Sequence, residues 1–93
     1  MIRSFRCKKT QALFAGTKCD ARWKQFRAVA ERKLVMLHAA AHLKDLKVPP
    51  NNKLEALKRD RAGQHSIRIN DQFRICFVWT SDGPTDVEIV DYH

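Results

Sequence analysis

The chain has 93 residues, with 18 Lys plus Arg against 10 Asp plus Glu and a formal charge of +8. That length predicts one domain that removes roughly 60–65% of its unfolded surface from water. The charge points to a polyanion such as RNA or DNA, with an acidic protein as the other partner class, and no helix pairs a basic face with the bulky apolar face that a membrane surface would require.

The opening Met1-Ile2-Arg3-Ser4-Phe5-Arg6 holds no apolar run of signal-peptide or membrane-spanning length, so a cytoplasmic location is expected. The cysteines, Cys7, Cys19 and Cys76, are odd in number and widely spaced, which predicts free and mostly buried thiols. His38 and His42 stand four residues apart on a predicted helix. Without a third ligand nearby they predict no metal site, and no cofactor is expected.

In chain order, Ile2 to Arg6 alternates and reads as a short strand. A helix follows over Lys8 to Ala15, ended by Gly16, the residue that takes a left-handed cap at no steric cost. Asp20 is a candidate N-cap for a long helix. Its apolar stripe, Trp23, Phe26, Ala30, Leu34, Leu37 and Ala41, advances by three or four residues and predicts helix to about Leu43 or Asp45. Val48-Pro49-Pro50 forbids continuation. Asn51 to Gln64 is a basic stretch anchored by Leu54 and Leu57.

The remainder predicts a sheet. His65 to Ile69 and Phe73 to Trp79 alternate with period two around Asn70-Asp71-Gln72, a short hairpin loop. Ser81-Asp82-Gly83-Pro84 marks a turn before a last strand over Val87 to Tyr92. Helices first and strands after predict an α+β domain spanning residues 1–93, a small mostly antiparallel sheet with two N-terminal helices packed on it.

Faces set the expected register, because a one-residue slip reverses every side chain. Ile67 and Ile69 share a core face with Phe73, Ile75, Phe77 and Trp79. A three-residue loop then sets Ile69 opposite Phe73 and Arg68 opposite Arg74, a like-charge pair that an anion would relieve. Setting Val87 opposite Trp79 would bring Tyr92 opposite Arg74, with His93 at the end of the row. A two-residue shift would bring Tyr92 beside Cys76 on the same face. Arginines suit a phosphate, which they grip through parallel N–H bonds. RNA brings its own 2′-OH nucleophile, so a nuclease needs a base, an acid and cations at the phosphate. Asp91-Tyr92-His93 supplies groups able to hold or move protons.

The blocks Leu54 to Gly63, Ser66-Ile67-Arg68-Ile69-Asn70-Asp71-Gln72-Phe73-Arg74-Ile75 and Asp91-Tyr92-His93, with the opening Met1 to Phe5, resemble the HigB toxins of the RelE superfamily over the whole chain. The resemblance implies a RelE-like fold and an endoribonuclease that cuts messenger RNA in the ribosomal decoding site. It implies a helix-turn-helix antitoxin partner of the HigA type. Matched by position, Arg74 would stabilise the scissile phosphate, and Tyr92 and His93, with Asp91 beside them, would orient the nucleotide and take part in proton transfer. Lys58 would add positive charge at the cut, and Arg59, Arg61 and Arg68 would hold RNA. The chain departs from the family pattern at two positions. Glu55 stands where some members carry a catalytic histidine, and it offers a carboxylate as base. Arg59 stands where a glycine is often found. The alternative is a non-enzymatic, ParE-like gyrase-inhibiting toxin on the same architecture, which would need neither the paired arginines nor the proton-handling tail. A plain nucleic-acid-binding module would bind with a steep salt dependence and form no covalent product. Arg22, Arg27 and Arg32 on the long helix are candidates for docking an acidic antitoxin segment.

Overall fold

The computed structural model describes residues 1–92. Helix α1 (Lys8–Ala15) forms as expected and ends at Gly16, whose φ of 77° lets its N–H reach back to the Leu13 carbonyl at 3.1 Å. The predicted long helix is in fact two pieces. A 3₁₀ turn, Ala21–Phe26, precedes helix α2 (Arg27–Ala39). Both geometries keep Trp23, Phe26, Ala30, Leu34 and Leu37 buried. A 3₁₀ turn aligns residues three apart and an α-helix residues three and four apart, so the stripe alone does not distinguish them. Asp20 caps the 3₁₀ turn, accepting from Arg22 N at 2.8 Å, and that bond with the Arg22 guanidinium holds its carboxyl well below the usual range.

Helix α2 stops at Ala39, short of the predicted Leu43 or Asp45. The Asp45 carboxylate accepts from the backbone N–H groups of Ala41 (3.1 Å) and His42 (2.9 Å) and so opens a new 3₁₀ turn, Leu43–Lys47. Side-chain acceptors of this kind compete with helix propagation. The new turn buries Leu46 completely. A further 3₁₀ turn, Pro50–Asn52, leads to the sheet.

The sheet is antiparallel in the order β1 (Glu55–Ala56), β2 (His65–Arg68), β3 (Phe73–Thr80), β4 (Gly83–Asp91). One face, with Ile67, Ile69, Ile75, Phe77, Val87 and Ile89, packs on Leu13, Trp23, Phe26, Ala30, Leu34, Leu37 and Leu46. This is the predicted α+β architecture. The β2–β3 register is also as predicted, with Arg68 opposite Arg74 and the Ile69 N–H on the Phe73 carbonyl at 3.0 Å. Asn70 Oδ1 closes the loop by accepting from Gln72 N and Phe73 N.

The predicted β3–β4 register is displaced by two residues at Arg74 and by three at Trp79. Trp79 faces Pro84, Ile75 faces Ile89, and Arg74 faces Val90, where Tyr92 was expected. The turn is tighter than its Gly-Pro cluster suggested, because Thr80 pairs with Gly83 directly and the Thr80 hydroxyl donates to the Gly83 carbonyl at 2.7 Å. The ladder then slips by one residue between Cys76 and Val78, with Asp86 at a φ of 52° on the opposing strand. Around Arg74, beyond the slip, the displacement is even, so the side-chain faces there are as predicted.

The N-terminal segment, predicted as a strand, makes a single parallel bridge from Phe5 to Val87. Its N–H of Arg3 reaches the Pro84 carbonyl, Val87 N–H reaches the Ser4 carbonyl, and Asp86 N–H reaches Ser4 Oγ at 2.9 Å. Thr10 Oγ1 takes the Ile89 N–H at 3.0 Å. Together they cover the edge of β4, which would otherwise present unpaired backbone groups. A Cβ at Gly83, whose φ is 120°, would collide with the Met1 carbonyl oxygen. Gly83→Ala is therefore expected to destabilise the fold by about 1–3 kcal/mol, read as a lower urea midpoint.

Cys7, Cys19 and Cys76 are free thiols, the first two half-buried. Burial pushes the Cys76 thiol up to about 11, so it stays protonated. His38 serves the core, with Nδ1 accepting from Ile2 N at 3.1 Å and its ring 5.2 Å from Phe14. Among the described residues no helix is long and apolar enough to cross a membrane.

Candidate active site

The face of the sheet opposite the helices carries Ser66, Arg68, Arg74, Cys76, Glu88, Val90 and Tyr92, because these positions alternate with the core residues on each strand. Arg74 is the centre of it. Its Nε donates to Ser66 Oγ at 2.7 Å on the neighbouring strand, and its Nη2 donates to the Lys53 carbonyl at 2.6 Å. Nη2 also donates to the Ser66 carbonyl at 3.4 Å, so three bonds to two segments orient the guanidinium plane. Among the described residues no hydrogen bond engages Nη1.

Tyr92 follows the end of β4, held by its N–H on the Gln72 carbonyl at 2.7 Å. It does not stand directly opposite Arg74, but the two meet diagonally, with the Arg74 Cζ 5.7 Å from the centre of the Tyr92 ring. This is within cation–π range. Tyr92 shares an open cleft with Glu55, Ala56, Leu57, Lys58 and Arg59. β1 and the 3₁₀ turn Arg59–Arg61 supply that wall, fastened by the Leu57 N–H on the Gln64 carbonyl at 2.8 Å. The structure thus brings Glu55, Lys58, Arg59 and Tyr92 to one cleft, with Arg74 against the tyrosine. A carboxylate, a phenol and several cations in one cleft can bind a phosphate diester and accept or donate protons beside it.

Other expected members lie elsewhere. The Arg68 guanidinium pairs with the Asp71 carboxylate of its own hairpin, so the predicted like-charge conflict with Arg74 is relieved within the chain. Arg61 reaches Glu88 at 3.3 Å and Gln64 at 3.0 Å. Asp91 pairs with Phe73 in register and so points to the helix side of the sheet, where Gln72 Nε2 donates to it at 2.9 Å. It lines a second cleft with Arg22, Gln25, Phe26, Asn70 and Gln72, on the opposite face from Tyr92. His93 lies outside the described residues. On the helices, Arg22 is paired with Asp20 and Arg27 with Glu31, while Arg32 is exposed.

The sequence reading did not single out Ser66 or Lys53 as the groups that hold Arg74. Ser66 was within reach of the argument, since it lies two residues from Arg68 on the same face. The Lys53 carbonyl had no local signal, being 21 residues away from Arg74 in the chain.

Arg59 has a φ of 57°, in the left-handed region. That explains physically why a glycine suits this position, because a side chain there is strained by roughly 1–2 kcal/mol. Arg59→Gly is expected to leave thermal stability unchanged or raise it by a few degrees while weakening RNA binding. Calorimetry and a filter-binding titration would separate the two effects.

A sequence profile described as HigB-like toxin, RelE-like toxin of type II toxin-antitoxin system HigB, matches residues 3–93. Over 62 residues, 67% of this chain, the sequence is 42% identical to Toxin HigB-1 of Vibrio cholerae, and the aligned stretch spans 64% of that protein. Over 54 residues, 58% of this chain, it is 37% identical to an uncharacterized protein of Haemophilus influenzae, spanning 54% of its length.

Proposed function

The chain belongs to the HigB-like family of RelE-like toxins of type II toxin-antitoxin systems, and on that premise we propose that it is an endoribonuclease that cuts messenger RNA in the ribosomal decoding site. The observation that carries this reading is Arg74, fixed by Ser66 and the Lys53 carbonyl, set 5.7 Å from the ring of Tyr92, which borders a cleft shared with Glu55, Lys58 and Arg59. Positioned guanidinium and ammonium groups stabilise charge that develops at a phosphate, and they do so best when little reorganisation is needed at the moment of reaction.

In the proposed reaction the RNA supplies the nucleophile. Glu55 takes the proton of the 2′-OH, the 2′-oxygen bonds to phosphorus, and Arg74 and Lys58 neutralise the added charge of the pentavalent phosphorane. The bond from phosphorus to the 5′-oxygen breaks, and the departing oxygen receives a proton from the tail, through Tyr92 or His93. The products are a 2′,3′-cyclic phosphate and a 5′-hydroxyl. Tyr92 also offers a ring on which a base can stack. Arg59, Arg61 and Arg68 hold the RNA strand, Arg61 and Arg68 by exchanging Glu88 and Asp71 for phosphates. Asp91 acts from the other face by fixing the strand end through Gln72.

The partner in this reading is an antitoxin of the helix-turn-helix HigA type, whose acidic segment docks on the basic surface of the Ala21–Phe26 turn and α2 around Arg22, Arg27 and Arg32. The site of action is the cytoplasm.

The deciding experiment is primer-extension mapping of a defined messenger with purified protein, with and without translating ribosomes. Cuts at fixed codon positions only with ribosomes are expected. Cuts in both tubes would keep the nuclease and remove the decoding-site mechanism. No cuts in either, with broken DNA in arrested cells, would replace this reading with gyrase inhibition.

A further inference from the structure

Lys33 sits on the core-facing side of α2, between Ala30 and Leu37, and is 3% exposed. A lysine at such a position loses the hydration of its ammonium, and an apolar residue of similar length would fill the space without that loss. Burial, with the nearby cations of Arg32 and Arg68, pushes its ammonium below the usual lysine range. Its Nζ donates to Asn52 Oδ1.

Asn52 is completely buried and fully used. Its Nδ2 donates to the Leu46 carbonyl at 3.1 Å and the Val48 carbonyl at 3.3 Å. The pair therefore ties α2 to the turns at 43–47 and 50–52. The next residue, Lys53, is held in a left-handed conformation at φ 46° and ψ 54°. That is an unfavourable backbone for a residue with a side chain, and it persists only where the surroundings over-determine it. From there its carbonyl accepts the Arg74 Nη2 at 2.6 Å. Of the three bonds that aim Arg74, the two that Ser66 accepts, at Oγ and at its carbonyl (3.4 Å), belong to the sheet. The other depends on the turn that Asn52 anchors.

We propose that Lys33 and Asn52 are positioning residues for the cleavage site: through the Lys53 carbonyl they set the orientation of the Arg74 guanidinium toward the scissile phosphate. The role in cleavage rests on the reading of Arg74 given above; the control of Arg74 orientation does not. The pair contacts no substrate. Its effect is on the precision of one cation, where displacement by about 1 Å is enough to cost up to 10²-fold in rate.

The test uses the full chain and two variants. Asn52→Ala leaves Lys33 without its acceptor and risks loss of stability. Lys33→Met/Asn52→Leu replaces both partners with apolar groups of similar size, a change that is often close to neutral for folding. The first readout is nitrogen-15 relaxation of the Arg74 Nε–Hε group in the free protein. Its order parameter is expected to fall in the double variant to below about 0.6, the flexible range, while the amide spectrum stays native. The second is cleavage of a ribosome-bound messenger. The single-turnover rate is expected to fall about 10–100-fold with affinity for a 2′-deoxy substrate analogue changed less than about twofold. In an Arg74→Ala background the same pair of substitutions is expected to have no further effect.

An Arg74 group as ordered in the folded double variant as in the parent chain overturns the proposal. So does an equal rate loss in the Arg74→Ala background, which would make the pair a support of the fold alone. If Arg74→Ala itself cleaves normally, the catalytic reading of Arg74 falls and with it the role in cleavage, while the relaxation result still decides whether the pair orients the side chain.

Discussion

Arg74→Ala is expected to lower ribosome-dependent cleavage by about 10²–10³-fold, the size of loss that follows removal of one preorganised charge-stabilising donor. Single-turnover primer extension measures it. The side chain is held in place before any substrate arrives. Ser66 Oγ and the Lys53 carbonyl occupy Nε and one of the terminal nitrogens, and the Tyr92 ring lies 5.7 Å from the guanidinium carbon. In the proposed reaction a guanidinium fastened this way would meet the phosphorane without first being ordered. Arg74→Lys is expected to recover little of the rate. An ammonium keeps the charge but has no planar fork with which to hold both acceptors and still face a phosphate. If Arg74→Lys cleaves nearly as fast as the parent chain, the site needs only a nearby charge and the geometric account fails. Truncation to Ala also leaves Ser66 Oγ and the Lys53 carbonyl without their donor, so a loss of about 1 kcal/mol in stability is expected alongside. That is too small to unfold a domain whose total is about 5–15 kcal/mol.

Phe77→Ala is expected to act in the opposite way, through the fold. Phe77 is fully buried on β3, opposite His65 in register and stacked near its ring at 6.3 Å. It also lies where the β3–β4 ladder slips. Truncation removes a large apolar surface and leaves a cavity, at a cost of about 3–5 kcal/mol. Urea denaturation measures that cost directly. Growth arrest should weaken because the folded population falls, with the cleavage rate per folded molecule retained. The two substitutions therefore separate: one protein is folded and slow, the other is active and scarce. A Phe77→Ala protein that is stable yet inactive would mean that the bulge itself shapes the cleft.

Much of the fold was legible in the chain because it depends on short-range rules. Gly16 ends α1 because its backbone admits a positive φ. The alternation of β2 and β3 and the loop held by Asn70 Oδ1 set Arg68 opposite Arg74 with nothing more than a hairpin's geometry. Tyr92 and Arg74 were placed on one face even though the strand register was displaced, since face depends on parity and parity was kept. Tyr92 stood out in the tail and Glu55, Lys58 and Arg59 were named from the resemblance; the structure brings the four to one cleft.

The amino-acid chain alone carries α1, most of α2, strands β2 to β4, the faces they bury, the basic charge and the residues whose chemistry suits a phosphate. Where α2 begins and ends, how β4 is registered, which face Asp91 takes and what holds Arg74 are set by long-range contacts. The reason is range. Periodicity and turn residues act over a few positions, and a stripe such as Trp23, Phe26 and Ala30 fits a 3₁₀ turn as well as an α-helix. The slip in β4 goes with Asp86 at positive φ, whose N–H is held by Ser4, 82 residues away. Lys33 meets Asn52 across 19 residues and Arg74 meets Lys53 across 21. Bonds of that span form between segments that approach only when the core closes, so neither partner marks the other in the chain.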